Sequence, residues 1–501
     1  MPAEKRSDTR DIAKGALVNF MGVLARSSNI LFLVVLGRLY GVEITGLFIL
    51  TRATVDVLSK LGILGLDRGL LTLAARYHAE DKDEDVYRVI GQALFIGAIA
   101  STVVFTLLQI FAGTLATAFF NTPALELPLR IAGVAIFLWF CSAILLFATR
   151  SLRIMHYEVM TKSLVEPLSL LTLSVVFYFL GWGIVGLCVA LLIALALGVV
   201  VAAHLFSRVY SLKRLAAHIL DGHNRGAVFA FSAPIGVYDL LNLLLQRMDL
   251  FLVGRFLPAA TAGIYGVAQE VASPLKTPRQ AFDPIFIPVV SAAHQLGSRE
   301  RMRVQYQNVT RWVLLINAAV LGFMVLASEP IMHLFGKTFT TGATVTYLLA
   351  GAIVINGVAG VSELFILIDR PLINLANTAG TLLVSAGLNL YLIPRYGIEG
   401  AAVAMIVSFF LMNTARVVEV RILYGLQPFT RYHLKAVIAF AIALAAMLAV
   451  GQALPSHPAW RLAAGFAYLP LYGALLLLLG LAGEERRLLQ RLRRRLGGSP
   501  P

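Results

Sequence analysis

The sequence predicts an all-α polytopic membrane protein with about 14 transmembrane helices, each close to the length that spans a bilayer. Three observations lead to this fold class. Of the 501 residues, 58% are hydrophobic and only 14% are charged, whereas roughly a quarter of an average soluble chain is charged. Apolar runs of about 20 residues, long enough to cross a hydrocarbon core, recur along the whole chain. Two sequence patterns also return later at a nearly constant offset.

The apolar runs give the predicted spans in order. They are 16–37, 44–64, 89–116, 129–149, 163–181, 184–206, 228–253, 263–291, 312–334, 343–368, 374–393, 398–420, 434–454 and 462–482. No connecting loop is long enough for a separate soluble domain. The longest loop, residues 65–88, contains the acidic run from Glu80 to Asp85 and is expected to be a solvated surface.

The basic residues predict the orientation of these helices. Of the 42 lysines and arginines, 29 fall in loops on one side, six on the other side and seven within spans. Short cytoplasmic loops carry an excess of lysine and arginine, so both termini are expected in the cytoplasm. The net charge of +15 therefore indicates membrane topology and attraction to anionic lipid rather than binding of nucleic acid.

An internal repeat divides the chain into two halves. Residues 37–48 are echoed by residues 254–265 at an offset of 217, and residues 183–190 by residues 397–404 at an offset of 214. This offset corresponds to six predicted helices. Because an even number of helices preserves orientation, the halves are expected to be related by a pseudo-two-fold axis along the membrane normal.

The repeat predicts the domain organisation. The domains are an N-terminal six-helix bundle (1–206), a cytoplasmic linker (207–227), a C-terminal six-helix bundle (228–423), two appended helices (424–482) and a basic cytoplasmic tail (483–501). In the tail, leucines at four-residue spacing lie among arginines, which is typical of a helix on an anionic membrane surface. A simple cluster of retained positive charge is the alternative.

Three stretches carry a resemblance to a known family: NFMGVLARSSNILFLVVLGRLYGVEITGLFIL, MDLFLVGRFLPAATAGIYGVA and YLIPRYGIEGAAVA. The chain resembles the multidrug/oligosaccharidyl-lipid/polysaccharide (MOP) exporter superfamily, and within it the Wzx-type O-antigen and exopolysaccharide flippases, relatives of the lipid II flippases. The resemblance implies two bundles around a central cavity and alternating access. The implied cargo is an undecaprenyl-pyrophosphate-linked oligosaccharide, which moves from the inner to the outer leaflet of the bacterial cytoplasmic membrane.

One stretch, residues 247–283, combines apolar character with charges at helical spacing. Lys276, Arg279 and Asp283 share one helix face because they follow one another at three and four residues. Several prolines interrupt the same segment, so the helix is expected to be kinked more than once. Charges and broken backbone at membrane depth are tolerated where they face protein or water, which predicts one wall of a polar cavity.

Further cations lie in the first two predicted helices. Arg26 lies ~15 Å into the first helix and Arg52 ~12 Å into the second, at 1.5 Å per residue. In the lipid II flippases, cations of helices 1, 2 and 8 line the cavity, so the resemblance implies that Arg26, Arg52, Lys276 and Arg279 bind the substrate pyrophosphate, with Asp56 beside them. Arginine suits this role because its planar guanidinium binds phosphate through two hydrogen bonds.

Each of these charges also has a structural alternative. Arg52 and Asp56 are four residues apart and can neutralise each other, and Arg26 can pair with Asp56 or Asp239 of another helix. Asp239, near mid-depth in the seventh helix, is the candidate for coupling to Na⁺ or H⁺, with a hydrogen-bonded structural role as the alternative.

Four more charged residues lie near helix ends, and we expect structural roles for them. The expectation for Arg247 and Arg416 is that their long side chains reach the membrane interface. Glu166 and Glu363 are expected to reach cytoplasmic water, since both lie near cytoplasmic ends of predicted spans.

No catalytic constellation is recognisable, so the chain is expected to be a transporter rather than an enzyme. The histidines lack metal-ligand spacing, no phosphate-binding loop is present, and no cofactor is expected apart from a coupling ion. The expected partners are the lipid-linked oligosaccharide, membrane lipids and other membrane proteins of polysaccharide assembly. The alternatives are an ion-coupled exporter of small amphipathic cations and a membrane polysaccharide polymerase or glycosyltransferase.

Overall fold

The computed structural model describes residues 29–219, 221, 225–296, 298–453 and 458–480, and these residues are almost entirely helical. The chain divides into two compact units between Gly266 and Val267. Eleven helices of the described chain are long and apolar enough to cross a membrane. The predicted all-α membrane class is confirmed, whereas the count of 14 spans and the domain boundaries drawn from the repeat stay predictions.

The first unit contains eleven helices and most of a twelfth. They are α1 (29–35 as described), α2 (Gly41–Ile63), α3 (Leu66–Ala79), α4 (Asp83–Thr114), α5 (Glu126–Ala132), α6 (Ala135–Ser151), α7 (His156–Glu158), α8 (Glu166–Phe179), α9 (Gly183–Ser207), α10 (Leu212–Ile219), α11 (Arg225–Phe256) and α12 (Ala259–Ala272). Short π-helical segments at Leu36–Tyr40, Leu115–Phe119 and Val159–Val165 and a 3₁₀ turn at Pro123–Leu125 lie between them. One of its cores joins α3, α4 and α6 through Leu70, Ile90 and Ile144.

The second unit begins within α12 and contains seven further helices. They are α13 (Thr277–Gln295), α14 (Arg299–His333), α15 (Ala343–Ala359), α16 (Ser362–Asp369), α17 (Pro371–Tyr424), α18 (Arg431–Ala453) and α19 (Pro458–Leu479). The 3₁₀ segments Ser273–Lys276 and Lys337–Gly342 precede α13 and α15. One core joins α14, α16 and α17 through Tyr306, Phe365 and Val420.

Two of the long helical stretches each contain two predicted spans. A glycine with a positive φ angle separates the two spans in each stretch. Gly41, with φ of 78°, follows the π turn that ends the first span, and Gly397, with φ of 60°, divides α17 into two predicted spans. The repeat pairs Gly397 with Gly183, which also has a positive φ, of 50°. Only glycine adopts this region without a steric cost, so the repeated glycines have the same structural role.

The other repeated glycines contact each other directly. A Cβ atom on Gly46 of α2 would lie 1.7 Å from the carbonyl oxygen of Ala259, and one on Gly263 of α12 would lie 2.8 Å from the backbone nitrogen of Gly46. Small residues allow two membrane helices to approach closely. The contact joins two glycines that the sequence repeat matches, and the pseudo-two-fold relation of the halves stays a prediction.

The segment 65–88 is a solvated surface only in part: Glu80 to Glu84 are exposed as expected, but the expectation was wrong for residues 66–79. Residues Leu66–Ala79 form α3, whose Leu66, Leu70 and Leu73 are buried. These leucines are spaced three and four residues apart, which is the spacing of an amphipathic helix. The prediction of a loop rested on the charged residues of the segment and did not consider this spacing. A Cβ on Gly65 would lie 2.3 Å from the backbone nitrogen of Gly236, so α3 begins in close contact with α11.

The proline-rich segment is interrupted as expected at one position. The α-helical α12 changes to a 3₁₀ segment at Ser273–Lys276, which includes Pro274, and returns to α-helix in α13. Proline lacks the N–H that the α-helical pattern needs, which accounts for the change. Lys276 therefore lies at the end of the 3₁₀ segment and Arg279 in the first turn of α13.

The two appended helices pack on α14. The fully buried Tyr468 of α19 donates a hydrogen bond from its hydroxyl to the carbonyl oxygen of Ala318, at 3.0 Å. Its ring occupies the space beside Gly322, where a Cβ would lie 2.1 Å from the ring carbon Cζ. Ala439 and Ala443 of α18 complete this core.

Candidate functional site

A row of charged side chains lies along one face of α2. Arg52, Asp56 and Lys60 are spaced four residues apart, which places them on the same side of the helix. The Asp56 carboxylate lies 3.8 Å from the guanidinium of Arg247 on α11. Arg52 has no ion pair within 4 Å among the described residues, although it lies within electrostatic range of Glu166. Asp56 therefore pairs with another helix and not with Arg52.

Two ion pairs join the end of α2 to α3 and α3 to α11. The Lys60 ammonium lies 3.2 Å from the carboxylate of the buried Asp67. The Arg68 guanidinium lies 3.0 Å from the carboxylate of Asp239, whose side chain is 9% exposed. These contacts connect α2 with α3 and α3 with α11.

These helices enclose part of a polar cavity in the first unit. The cavity has a volume of about 220 Å³ and lies between α2, α3, α6 and the segment 156–165. Its charged lining residues are Asp56, Lys60, Asp67, Arg68, Glu158 and Lys162. Trp139 and Phe147 of α6 form an aromatic part of the wall.

The second unit has its own buried charge network, centred on Glu363 of α16. The Glu363 carboxylate accepts hydrogen bonds from Arg279 of α13 at 2.7 Å and from Arg416 of α17 at 3.3 Å. Arg416, only 2% exposed, also donates to the side-chain oxygen of Asn374 at 3.0 Å. The other carboxylate beside Arg279 is that of Asp283, at 3.8 Å. The network therefore joins three helices of the second unit.

The predicted site residues fall into three groups. Arg26 lies outside the described residues. Arg52, Asp56 and Asp239 lie in the first unit, where Asp56 and Asp239 are each paired with an arginine of another element. Lys276 and Arg279 lie in the second unit, where Lys276 is partly buried and Arg279 pairs with two carboxylates.

Two expectations about structural charges were wrong. Arg416 is buried and does not extend to the membrane interface, and Glu363, which pairs with it, is 15% exposed and does not extend to cytoplasmic water. Arg247 is partly exposed and lies 3.8 Å from Asp56, so its position at the interface stays a prediction. The predictions treated each helix in isolation, whereas a neighbouring helix supplies the opposite charge and removes the reason for the side chain to reach water.

Several residues of these sites were not predicted from the sequence. Lys60 shares the face of Arg52 and Asp56, and its four-residue spacing was a usable signal. Arg68 was placed in a solvated loop, although the leucines around it follow a helical period. Trp139 and Lys162 carry no local signal, because only tertiary packing brings their helices to one cavity.

Known structures share this fold over most of the chain. The lipid II flippase MurJ in an inward closed conformation is similar with a TM-score of 0.73 and 14% sequence identity, over 92% of this chain and 98% of that chain. A multidrug resistance MATE family transporter of the MOP superfamily in an inward-facing conformation is similar with a TM-score of 0.67 and 14% identity, over 81% of this chain and 94% of that chain. At this level of identity the comparison shows a shared fold.

Sequence comparisons identify relatives in glycan synthesis. A probable low-salt glycan biosynthesis flippase, Agl15 of Haloferax volcanii, is 27% identical over 188 residues. That match spans 37% of this chain and 40% of the relative. A family model described as "Polysaccharide biosynthesis protein" matches residues 35–343, more than half of the chain. The chain therefore belongs to this family of polysaccharide biosynthesis proteins and has the fold of the MOP superfamily, which confirms the resemblance seen in its sequence.

Proposed function

We propose that the protein is a flippase for a polyprenyl-pyrophosphate-linked oligosaccharide. It moves this lipid from the inner to the outer leaflet of the bacterial cytoplasmic membrane by alternating access, and the glycan then enters O-antigen, capsule or exopolysaccharide. Both termini lie in the cytoplasm, as the distribution of lysine and arginine indicates. Membrane lipids surround the protein, and other membrane proteins of polysaccharide assembly accept the product.

The family match over residues 35–343 is the observation that carries this proposal. It links the chain to polysaccharide synthesis, while the fold links it to transporters. A transporter within polysaccharide synthesis needs a cargo made on one side of a membrane and used on the other. A lipid-linked oligosaccharide is such a cargo, because its charged and hydroxylated head group cannot cross the hydrocarbon core alone.

Arg52 is the residue that best suits contact with the pyrophosphate in the first unit. It lies on a membrane-spanning helix, is partly exposed, and has no carboxylate within 4 Å among the described residues. Its guanidinium can therefore donate two parallel hydrogen bonds to a phosphate without first breaking an ion pair. We assign the same role to Arg26, which lies outside the described residues and is predicted from the sequence to lie at mid-membrane.

In the second unit, Lys276 and Arg279 are proposed to capture the head group at the inner leaflet. Arg279 already pairs with Glu363 and Asp283, so a phosphate has to take the place of a carboxylate. A phosphate matches the geometry of arginine as well as a carboxylate does. The exchange would release Glu363 from α13 and leave it with Arg416, which offers a way for substrate binding to loosen the contact between α13 and α16.

Asp239 remains the proposed site of coupling to Na⁺ or H⁺. One of its carboxylate oxygens lies 3.0 Å from Arg68, and the other is buried without a hydrogen-bond partner among the described residues. Binding of a cation or proton to Asp239 would weaken the pair with Arg68 and so free α3 from α11. Asp239→Asn should abolish gradient-dependent transport while lipid binding persists, and transport that still follows the gradient in this variant would exclude the role.

A genetic experiment tests the proposed function. Cells that lack the protein should accumulate the lipid-linked oligosaccharide and lose the exported polymer, and the wild-type gene should reverse both effects. Arg52→Lys should reach normal membrane abundance and fail to restore export, because lysine keeps the charge and loses the paired donors. Arg130→Lys is the matched control, since Arg130 forms an exposed pair with Glu126. Normal export without the protein would refute the proposal.

A further inference from the structure

The polar cavity of the first unit has the size of one small ring. Its volume of about 220 Å³ corresponds to roughly seven water molecules at about 30 Å³ each. Pockets for drug-sized ligands are larger, at about 300–1,000 Å³. The cavity can therefore hold a single sugar ring.

The charges of the cavity wall are balanced. Three cations, Lys60, Arg68 and Lys162, face three carboxylates, those of Asp56, Asp67 and Glu158. Every one of these six groups also has an ion-pair partner of opposite charge. A pyrophosphate needs a net positive site and an organic cation a net negative one. Neither condition is met, so the wall suits a neutral ligand.

The paired charges still have unused hydrogen-bonding capacity. An ammonium carries three donors and a carboxylate accepts about four hydrogen bonds. Lys162 uses one contact, at 2.9 Å to Glu166, and Glu158 one at 3.1 Å to Arg150. The wall thus presents donors beside acceptors, and a hydroxyl group, which both donates and accepts, matches this arrangement.

The aromatic part of the wall adds a flat surface and a further donor. Trp139 is partly exposed, and in the described part of the chain its indole N–H donates no hydrogen bond. A tryptophan N–H inside a protein usually has a partner, so this one is available to a ligand. On Phe147, the guanidinium of Arg150 lies 4.7 Å from the ring centroid and covers one face. An aromatic surface edged by polar groups suits a ring with an apolar face and hydroxylated edges.

We propose that this cavity binds one neutral sugar ring of the lipid-linked oligosaccharide, separately from the cations that bind the pyrophosphate. The inference rests on the proposed flippase function and adds a second contact point for its cargo. Trp139 contacts the ring and donates a hydrogen bond, while Lys162 and Glu158 bind hydroxyl groups. The head group is then held at both its anionic and its neutral part.

A binding experiment tests the cavity by itself. Purified full-length protein in detergent is titrated with free N-acetylglucosamine, galactose and rhamnose, and both the heat of binding and the fluorescence of its four tryptophans are recorded. At least one sugar should give a saturable heat of binding that Trp139→Leu abolishes; the heat is compared between variants because substitution of Trp139 also removes a fluorophore. Trp139→Phe, which keeps an aromatic ring without the N–H, should bind about threefold to tenfold more weakly, the loss expected for one hydrogen bond. Trp182→Leu is the control, because Trp182 is exposed and lies outside the cavity.

Two results of this titration would contradict the proposed sugar site. A sugar response that is absent from the wild type, or that persists in Trp139→Leu, overturns the assignment of the cavity. This outcome is independent of lipid transport.

A transport experiment separates this inference from the proposed function. Vesicles containing the protein receive either the glycosylated polyprenyl pyrophosphate or the same lipid without sugar. Trp139→Leu should slow the glycosylated lipid and leave the bare lipid unchanged relative to wild type. Equal rates for wild type and variant with both lipids refute the sugar site while the flippase function stands. If the wild type moves neither lipid, the proposed function fails, and the fluorescence titration still decides whether the cavity binds sugar.

Discussion

The buried network around Glu363 gives a quantitative prediction for the second unit. Glu363→Gln removes a carboxylate that lies 3.3 Å from Arg416, whose side chain is 2% exposed, and 2.7 Å from Arg279. Breaking a buried ion pair by removing one member costs about 3–5 kcal/mol, so we expect Glu363→Gln to destabilise the protein by up to this amount.

The destabilisation by Glu363→Gln is compared with that of other variants. Glu300→Gln is the same substitution in the exposed pair with Arg303 at 2.8 Å, where the loss is expected to be about 0–1 kcal/mol. Arg416→Gln should cost less than Glu363→Gln, because Glu363 keeps Arg279 at 2.7 Å. The double variant Glu363→Gln/Arg416→Gln should cost less than the sum of the single variants, since the two side chains contact each other and each single variant already breaks the pair between them.

The assay is thermal unfolding of the purified protein in one detergent. All variants are heated at the same rate, because irreversible unfolding makes the apparent midpoint depend on the scan rate. The expected order of midpoints, from highest to lowest, is Glu300→Gln, Arg416→Gln and Glu363→Gln. A midpoint for Glu363→Gln equal to that of Glu300→Gln would refute the reasoning, since the carboxylate would then not compensate Arg416.

Three further predictions concern packing and pairing. Gly46→Ala should abolish folding or transport because its Cβ would lie 1.7 Å from a backbone oxygen, while Gly387→Ala, with no atom within 4 Å, should be neutral in membrane abundance. Arg68→Asp should lower the thermal midpoint of the purified protein, and its combination with Asp239→Arg should restore the midpoint because the 3.0 Å ion pair is re-formed with its charges exchanged; a wild-type midpoint for the single variant would show that the pair does not contribute to stability. Tyr468→Phe should cost about 1 kcal/mol in thermal unfolding through its lost hydrogen bond, and an unchanged midpoint would exclude that contribution.

The sequence was sufficient for features that depend on local chemistry. Apolar length predicts membrane helices, and the repeated glycines identify positions with a shared structural role: Gly183 and Gly397 have positive φ. The charge partners could not be predicted in the same way. Arg68 and Asp239 are 171 positions apart, as their residue numbers show, and pair only because Gly65 lets α3 approach α11.

The cavity was beyond sequence reasoning for the same reason. Trp139, Lys60 and Lys162 come from three separate helical segments, and only their packing places them around one space. The positions of buried charges were also predicted wrongly when only the polarity of the side chain was considered. Arg416 was expected to extend to the membrane interface, because no residue near it in the sequence indicates its contact with Glu363 on α16.

Reconstitution tests the central claim most directly. Vesicles are prepared with a polyprenyl-pyrophosphate-linked oligosaccharide in both leaflets, with or without the purified protein, and a membrane-impermeant sugar-cleaving enzyme is added outside. We expect nearly all of the lipid to be cleaved when the protein is present, and only the outer-leaflet share when it is absent. Cleavage that stops at the outer-leaflet share in both preparations, under an imposed Na⁺ or H⁺ gradient as well as without one, would contradict it.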